Sequence, residues 1–163
     1  MPRYLIQKRL IAIGSDYSVR NESGEIVYEI DGKLRFASTF DVKDASGRTL
    51  ISGREKLMAL DATLHLTRGD EPLATLKKVA VNAGRDKFEI DMADGTHMEA
   101  LGAFYEDDYR LVRGDGVIAS VKERLGVRET YDLEVVSDSD TTLALAIAAA
   151  IIRLVPKPST GEP

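Results

Sequence analysis

Apolar and polar residues alternate along most of this chain, in short stretches that end at turn-forming residues. Five stretches share one arrangement, an alternating segment, a turn containing glycine and a second alternating segment; they begin at Tyr17, Phe40, Leu64, Phe88 and Tyr109. Alternation with a period of two is typical of strands with one buried face. Glycine next to Asp, Asn or Ser favours a tight turn. The pattern therefore predicts five antiparallel hairpins.

Further segments extend this pattern at both ends of the chain. Tyr4–Lys8, Leu10–Ile13 and Tyr131–Val136 are also predicted strands, which brings the total to about a dozen. No helical pattern of 10 to 15 residues separates the strands, so repeated βαβ units are not expected. A repeat of similar length is found in solenoids, but these units share no helix or fixed ladder motif. An antiparallel meander explains the pattern more simply.

The C-terminal part of the chain has a different pattern. Leu143 to Ile152 is an unbroken apolar run, so a helix formed here has no polar face. The run is shorter than the 17 to 25 apolar residues that a membrane span needs, which favours a buried helix. We predict a helix over 141–155, capped by Ser139 or Asp140 and ended by Pro156, with 156–163 as a disordered tail.

A large meander and an all-apolar helix together predict one architecture. Closing the sheet into a barrel removes its exposed edges. A barrel of eight strands has room for side chains only, and a wider barrel leaves a hole that a helix about 10 Å across fills. We therefore predict a mainly β protein with a single domain over residues 1–155. It is a closed antiparallel barrel of about 12 strands around the buried C-terminal helix at 141–155.

Three segments, in this order, resemble the LURP-one-related family. They are FDVKDASGRTLIS from Phe40, LGAFYEDDYRLVRGDGVIASV from Leu101 and ETYDLEVVSDSDTTLALAIAAAIIRLV from Glu129. The resemblance covers about Tyr4 to Val155. It implies a twelve-stranded barrel around a C-terminal helix, similar to the tubby C-terminal domain and distantly similar to phospholipid scramblases. Where the family often has an acidic residue near the end of the helix, this chain has Ile152-Arg153, so no role of the helix end is carried over.

Composition and charge narrow the classes of function. The net charge is −5, so the chain lacks the global basic field that nucleic-acid binding uses. It contains no cysteine, which excludes disulfides, thiolate metal sites and a thiol nucleophile. The first residues do not have the pattern of a secretory signal, and no stretch reads as a transmembrane segment. We expect a cytoplasmic protein, peripheral at the membrane if it binds lipid.

Motifs that carry catalysis or bind metal are weak. Gly114-Asp115-Gly116 resembles part of a dinucleotide fingerprint, but no helix or βαβ unit surrounds it, so we interpret it as a hairpin turn. His65 and His97 lie in predicted strands without metal-binding spacing. Ser137 to Asp140 is acidic but lacks the glycine and distal glutamate of a calcium loop. We expect no catalytic residue, no metal and no cofactor.

Basic residues give the strongest hint of a ligand. Six of them are candidates for an anionic-ligand site: Arg54, Lys56, Lys77, Lys78, Lys122 and Arg124. Arg54 and Lys56 share one strand face with Glu55 on the other, and Lys122 and Arg124 share one around Glu123. The resemblance to tubby-like domains, which bind phosphoinositides, implies a phosphorylated head group as ligand. Solvated strand positions, balanced by nearby glutamates, are the alternative.

These observations favour a non-enzymatic binding or scaffolding module, whose partner is an anionic phospholipid or a protein. A barrel filled by a helix has no deep central cavity for a substrate, which disfavours catalysis. One alternative is a membrane-acting protein of the scramblase type, although the chain offers no second apolar segment. Another is a hydrolase, which would need His65 or His97 beside a serine and a carboxylate. The sequence does not specify the oligomeric state.

Overall fold

Twelve strands and one helix make up the structure, a computed structural model that describes residues 1–9, 17–33, 39–56, 63–81, 85–103, 108–124 and 129–154. The strands are β1 Arg3–Lys8, β2 Tyr17–Arg20, β3 Ile26–Lys33, β4 Thr39–Asp44, β5 Thr49–Lys56, β6 Thr63–Arg68, β7 Glu71–Val81, β8 Arg85–Met92, β9 His97–Ala103, β10 Asp108–Arg113, β11 Gly116–Glu123 and β12 Thr130–Val135. A 3₁₀ turn, Asp138–Asp140, leads into the helix α1, Thr141–Leu154.

The sheet is a closed antiparallel barrel, as predicted. Each strand pairs with its neighbours in sequence, and β1 closes the barrel by pairing with β12. The five predicted hairpins are β2–β3, β4–β5, β6–β7, β8–β9 and β10–β11. The predicted strand at Leu10–Ile13, residue Val155 and the predicted tail at 156–163 lie outside the described residues.

Short side chains build the hairpin turns locally. In the turn between β4 and β5, one carboxylate oxygen of Asp44 accepts the backbone N–H groups of Ser46 and Arg48, both at 3.0 Å. Gly47 in the same turn has a φ of 87°, a conformation that residues with a Cβ rarely adopt. The segment Gly114-Asp115 is likewise the turn between β10 and β11, so its interpretation as a hairpin is confirmed.

The helix lies in the middle of the core. Its buried residues point in every direction, and seven of them are fully inaccessible to solvent: Ala144, Leu145, Ala146, Ile147, Ala148, Ala150 and Ile151. The strands contribute their inward-facing residues to the same cluster, among them Phe40, Leu64 and Leu111. Alanines allow the helix backbone to approach the wall, and the larger side chains fill the wider gaps. The predicted central helix is therefore confirmed.

An ion pair joins the start of the helix to the barrel. Both terminal nitrogens of Arg113, the last residue of β10, donate to the carboxylate of Asp140, at 3.2 and 3.1 Å. The side chain of Asp140 is only 14% exposed, so the pair is partly shielded from water. Asp140, which the sequence offered as a helix cap, thus uses its carboxylate to tie the helix to the β10–β11 hairpin.

The two ends of the barrel differ. Because neighbouring strands alternate in direction, all odd-numbered strands finish at the same end. We call it the far end, and we call the opposite end, which carries the five hairpin turns, the turn end. The segments between strands at the turn end and before α1 hold one cation, Arg48, and these carboxylates: Glu22, Glu25, Asp70, Asp94, Asp115, Asp138 and Asp140. No helix of the described residues is long and apolar enough to cross a membrane.

Candidate anionic-ligand site

All six candidate cations lie toward the far end of the barrel. Five belong to the C-terminal halves of the odd-numbered strands β5, β7 and β11, and Arg124 directly follows β11. Odd-numbered strands run in parallel directions, so this placement brings every candidate to one end. The far end therefore carries the six candidate cations, while carboxylates outnumber cations in the segments between strands at the turn end.

The two basic pairs do not meet on the wall. In the closed strand order, β5 and β11 are six strands apart in either direction, which places them on opposite sides of the barrel. Arg54 and Lys56 are exposed on one wall, and Lys122 and Arg124 are exposed on the other. A single wall site that uses both pairs, as the sequence suggested, is thus ruled out by the strand order.

Carboxylates balance the pair near β11. Lys122 stands in register between Asp108 of β10 and Asp132 of β12. Arg124 donates two hydrogen bonds to Asp132, at 2.7 and 3.3 Å, and this bonding raises the pKa of the Arg124 guanidinium. The charge of the two cations is therefore met locally by two carboxylates, which makes this wall a poor site for an anion.

Lys77 and Lys78 face opposite sides of the sheet. Leu76 is fully buried in the core, so Lys77, the next residue of β7, is exposed on the outer surface. Lys78 has the inward-facing phase of Leu76 and is half-buried, with the buried Phe88 opposite it on β8. Of this adjacent pair, only Lys77 can contribute to a site on the outer wall.

The remaining three cations share one surface. Two lateral rows cross the outer faces of β5, β6 and β7. Arg54, His65 and Thr75 form the first row, and Lys56, Thr63 and Lys77 form the second. We call these six residues the β5–β7 patch. Standard sheet spacings put β5 and β7 about 10 Å apart and the two rows about 7 Å apart. One phosphate group can therefore contact several members of the patch.

The middle of the patch supplies neutral hydrogen-bond donors. The ring Nδ1 of His65 lies 3.2 Å from the hydroxyl oxygen of Thr75. A neutral imidazole carries one N–H and the hydroxyl carries one O–H, so the pair has two donors. One of them donates the hydrogen bond that joins the two side chains. Whichever tautomer is present, one donor remains for a ligand. The half-buried hydroxyl of Thr63 lies between Lys56 and Lys77 in the second row.

Acidic walls flank the patch, although neither of its two rows contains a carboxylate. On one side, β3 and β4 carry the facing residues Asp31 and Asp41. Lys43 donates to Asp31 at 3.0 Å, which raises the pKa of the lysine. The β5–β7 patch is therefore a narrow positive stripe beside a wall of opposite charge.

The wall on the other side of the patch is also acidic. Strands β8 and β9 carry Glu89, Asp91 and Glu99. His97 lies 2.8 Å from Asp91, and this hydrogen bond raises the pKa of the histidine. Lys87 lies 3.5 Å from Glu89.

Among the described residues, no three His, Asp or Glu side chains are arranged to hold a metal ion.

Sequence reasoning named the cations of the patch but missed its neutral donors. Thr63, His65 and Thr75 each alternate with buried residues of β6 or β7, so their outward direction was readable. These side chains can act as donors to a bound anion because they lie beside cations of β5. That position can be known only from the register between the strands. His65 was correctly assigned to a strand, but its position between Arg54 and Thr75 could not be seen.

The fold defines a class: a closed twelve-stranded β-barrel filled by a C-terminal helix, here with a group of basic side chains on one wall. The chain belongs to the LURP-one-related family, whose sequence profile matches residues 3–152. It is similar to the uncharacterized protein YxjI of Bacillus subtilis (strain 168), with 22% identity over 153 residues that cover 93% of this chain and 92% of the relative.

A solved structure supports the same fold. The X-ray structure of the Arabidopsis thaliana protein AT5G01750 matches with a TM-score of 0.65 and 11% sequence identity, covering 91% of this chain and 88% of the other. At that identity the likeness establishes the architecture alone. Neither relative brings a ligand to this chain, so the function must be argued from the patch.

Proposed function

We propose that this protein is a non-enzymatic binding module whose β5–β7 patch binds anionic phospholipid head groups. One observation carries the proposal: across β5, β6 and β7, three cations and three neutral donors share two adjacent rows, and the next residues of these rows, Glu89 and Asp91, stand on β8. Arg54, Lys56 and Lys77 supply the charge, while Thr63 and the His65–Thr75 pair supply directed hydrogen bonds. Lysine, arginine and hydroxyl donors are the groups that proteins use to hold phosphate oxygens.

Such binding is weak for one protein and sensitive to salt. Exposed cations near an anionic surface contribute about 1 kcal/mol each, so three give about 3 kcal/mol. A free energy of that size corresponds to a dissociation constant weaker than about 1 mM. The net charge of −5 opposes binding further. Because the Debye length falls from about 30 Å at 0.01 M to about 8 Å at 0.15 M salt, binding should weaken steeply over that range.

The surroundings of the two histidines support binding over hydrolysis. His65 is bonded to a hydroxyl, that of Thr75, and its direct neighbours in register on β5 and β7 are Arg54 and Thr75. His97 is bonded to the carboxylate of Asp91. A hydrolytic triad needs a nucleophile and a carboxylate on the same imidazole. Within the described part of the chain, the hydrogen bonds of each histidine supply one of these partners and not both.

Vesicle co-sedimentation tests the proposal with a matched pair of variants. The test variant is Arg54→Glu with Lys56→Glu. The control is Arg48→Glu with Arg68→Glu, which makes the same change in net charge with exposed arginines at the turn end. Each protein is mixed with phosphatidylcholine vesicles, with and without phosphatidylglycerol, at two salt concentrations. Circular dichroism verifies that both variants are folded.

The expected result has three parts. Wild type and the turn-end control bind the anionic vesicles at low salt, the patch variant does not, and no protein binds neutral vesicles. Equal losses in the two variants would show that only net charge matters and would refute a defined patch. Absence of wild-type binding at low salt, both to these vesicles and to vesicles that contain phosphatidic acid, would remove phospholipid as the ligand and favour a protein partner.

A further inference from the structure

We infer that the β5–β7 patch recognises a phosphomonoester in preference to a phosphodiester. The inference rests on the proposed function, because it assigns a chemical class of ligand to the same residues. It starts from the composition of the two rows, in which charged and neutral donors are interleaved across three strands. A surface that only sensed negative potential would need the cations, and would have no use for the donors between them.

The donors are set close enough to converge on one group. Thr63 separates Lys56 from Lys77, each one strand spacing away, about 4.8 Å. His65 similarly lies between Arg54 and Thr75 in the neighbouring row. A phosphate that settles over β6 therefore meets hydrogen-bond donors along and across the strands. Satisfying several of them at once requires a ligand with several exposed acceptor oxygens.

Phosphomonoesters and phosphodiesters differ in negative charge and in the number of terminal oxygens, and the patch contacts both features of a ligand. A monoester carries about −1.5 to −2 charges at pH 7 and exposes three terminal oxygens. A diester has two of its oxygens esterified, which leaves a single negative charge and two terminal oxygens. The monoester thus offers more charge to the cations and more acceptors to Thr63 and the His65–Thr75 pair, at a single point.

Because carboxylates flank the patch on both sides, an anion must come into direct contact with the patch to be attracted. On one side, Asp41 of β4 stands opposite Ser52, two residues before Arg54 on β5. On the other side, Glu89 and Asp91 of β8 stand opposite Lys77 and Thr75 of the patch. These carboxylates cancel the positive potential of the stripe at a distance, and the whole chain is negative. A diffuse anionic surface therefore gains less from the stripe than a compact anionic group does. A compact group that reaches hydrogen-bonding distance gains most from Arg54 and Lys56, since Lys77 stands opposite Glu89 of β8.

The monoester could be presented by a lipid or by a soluble molecule, and both expose the same terminal phosphate. Phosphatidic acid is the simplest lipid probe, since its head group is a phosphomonoester with no further substituent. Phosphatidylglycerol is its diester counterpart. Glycerol 3-phosphate is the soluble probe that shares the monoester and lacks the acyl chains.

The experiment compares binding to phosphatidic acid and phosphatidylglycerol vesicles whose surface potentials are matched by electrophoretic mobility. Wild type should bind the phosphatidic acid vesicles about tenfold more tightly, the equivalent of about 1.4 kcal/mol. Replacing Thr63→Val together with Thr75→Val removes hydroxyl donors without changing charge, and valine suits strands. Because both hydroxyls belong to the patch, this variant should bind both kinds of vesicle more weakly than wild type, with the larger loss on phosphatidic acid, so that most of the preference disappears. Arg54→Glu with Lys56→Glu should lose binding to both.

The outcomes separate the monoester inference from the lipid-binding function on which it rests. Equal binding to matched vesicles would overturn the monoester inference and leave anionic-lipid binding standing. An undiminished preference in the valine variant would also overturn it, because the donors would then have no part in selection. No binding to either vesicle would overturn the lipid function itself. Displacement from phosphatidic acid vesicles by millimolar glycerol 3-phosphate would support the monoester chemistry and identify soluble phosphates as competing ligands.

Discussion

A single added methyl group at Gly53 tests how the barrel wall is packed beneath the patch. Gly53 lies between Ser52 and Arg54 on β5, with its inner side directly opposite Phe40 of β4. Phe40 is fully buried. A Cβ built on Gly53 would lie 2.3 and 2.4 Å from two atoms of the Phe40 ring, where ordinary contacts are 3.4 to 4 Å. Because Gly53 has no side chain, the phenyl ring of Phe40 can occupy the space beside it.

The cost of Gly53→Ala follows from this geometry. The ring would have to move by about 1 Å within a core packed at crystal-like density, which costs about 1 to 3 kcal/mol. Restricting the unfolded chain returns about 0.4 to 1 kcal/mol. We therefore expect a net loss of about 1 to 2 kcal/mol, which lowers the melting temperature of a domain of this size by about 2 to 8 °C.

A double-mutant cycle isolates the contact. Gly53→Ala, Phe40→Leu and the combined variant are compared by urea and thermal unfolding. Because Phe40→Leu removes the ring that the methyl group meets, Gly53→Ala should cost less in that background, with a coupling of about 1 kcal/mol. An equal loss in both backgrounds, or a Gly53→Ala protein as stable as wild type, would refute the packing argument.

Three further predictions follow from the helix and from two ion pairs. Ala148→Glu puts an unpaired charge on the fully buried helix, so it should cost several kcal/mol and leave no cooperative melt, whereas a folded variant would contradict a dry core. Arg113→Ala leaves Asp140 without its partner and should destabilise the protein by about 1 kcal/mol; unchanged urea midpoints would show that the pair does not anchor the helix. Asp91 raises the pKa of His97 above 6.5, so their pair stabilises the fold below that value and the benefit is lost as pH rises through the raised pKa. Wild type should therefore lose its advantage over Asp91→Asn as pH rises, and parallel pH profiles in urea melts would disprove this.

The fold was largely predictable because its signals are local. Alternation around glycine turns gave the hairpins, and the apolar run from Leu143 to Ile152 gave a helix that only a surrounding wall can bury. Closure followed from the need to protect sheet edges. The hairpins and the segments at both ends gave about a dozen strands, and the family resemblance implied twelve. What local pattern did not show was the ion pair between Arg113 and Asp140, because it joins two segments that meet only in the folded barrel.

The site was less predictable because it depends on register between strands. Lys56 and Lys77 are neighbours through Thr63, an alignment set by long-range pairing. The carboxylates beside Lys122 come from β10 and β12, so their effect could not be read from the sequence around the lysine. The opposite directions of Lys77 and Lys78 were available from simple alternation.

The central claim is that the β5–β7 patch, and not the barrel surface in general, meets the anionic ligand. Nuclear magnetic resonance of the labelled 163-residue chain tests it directly, by following backbone amide signals during titration with phosphatidic acid nanodiscs. The account predicts that the signals of Arg54, His65 and Lys77 shift or broaden first, while those of Ser120 and Lys122 on the opposite wall stay unchanged. Uniform changes around the barrel, or changes confined to β11, would contradict it.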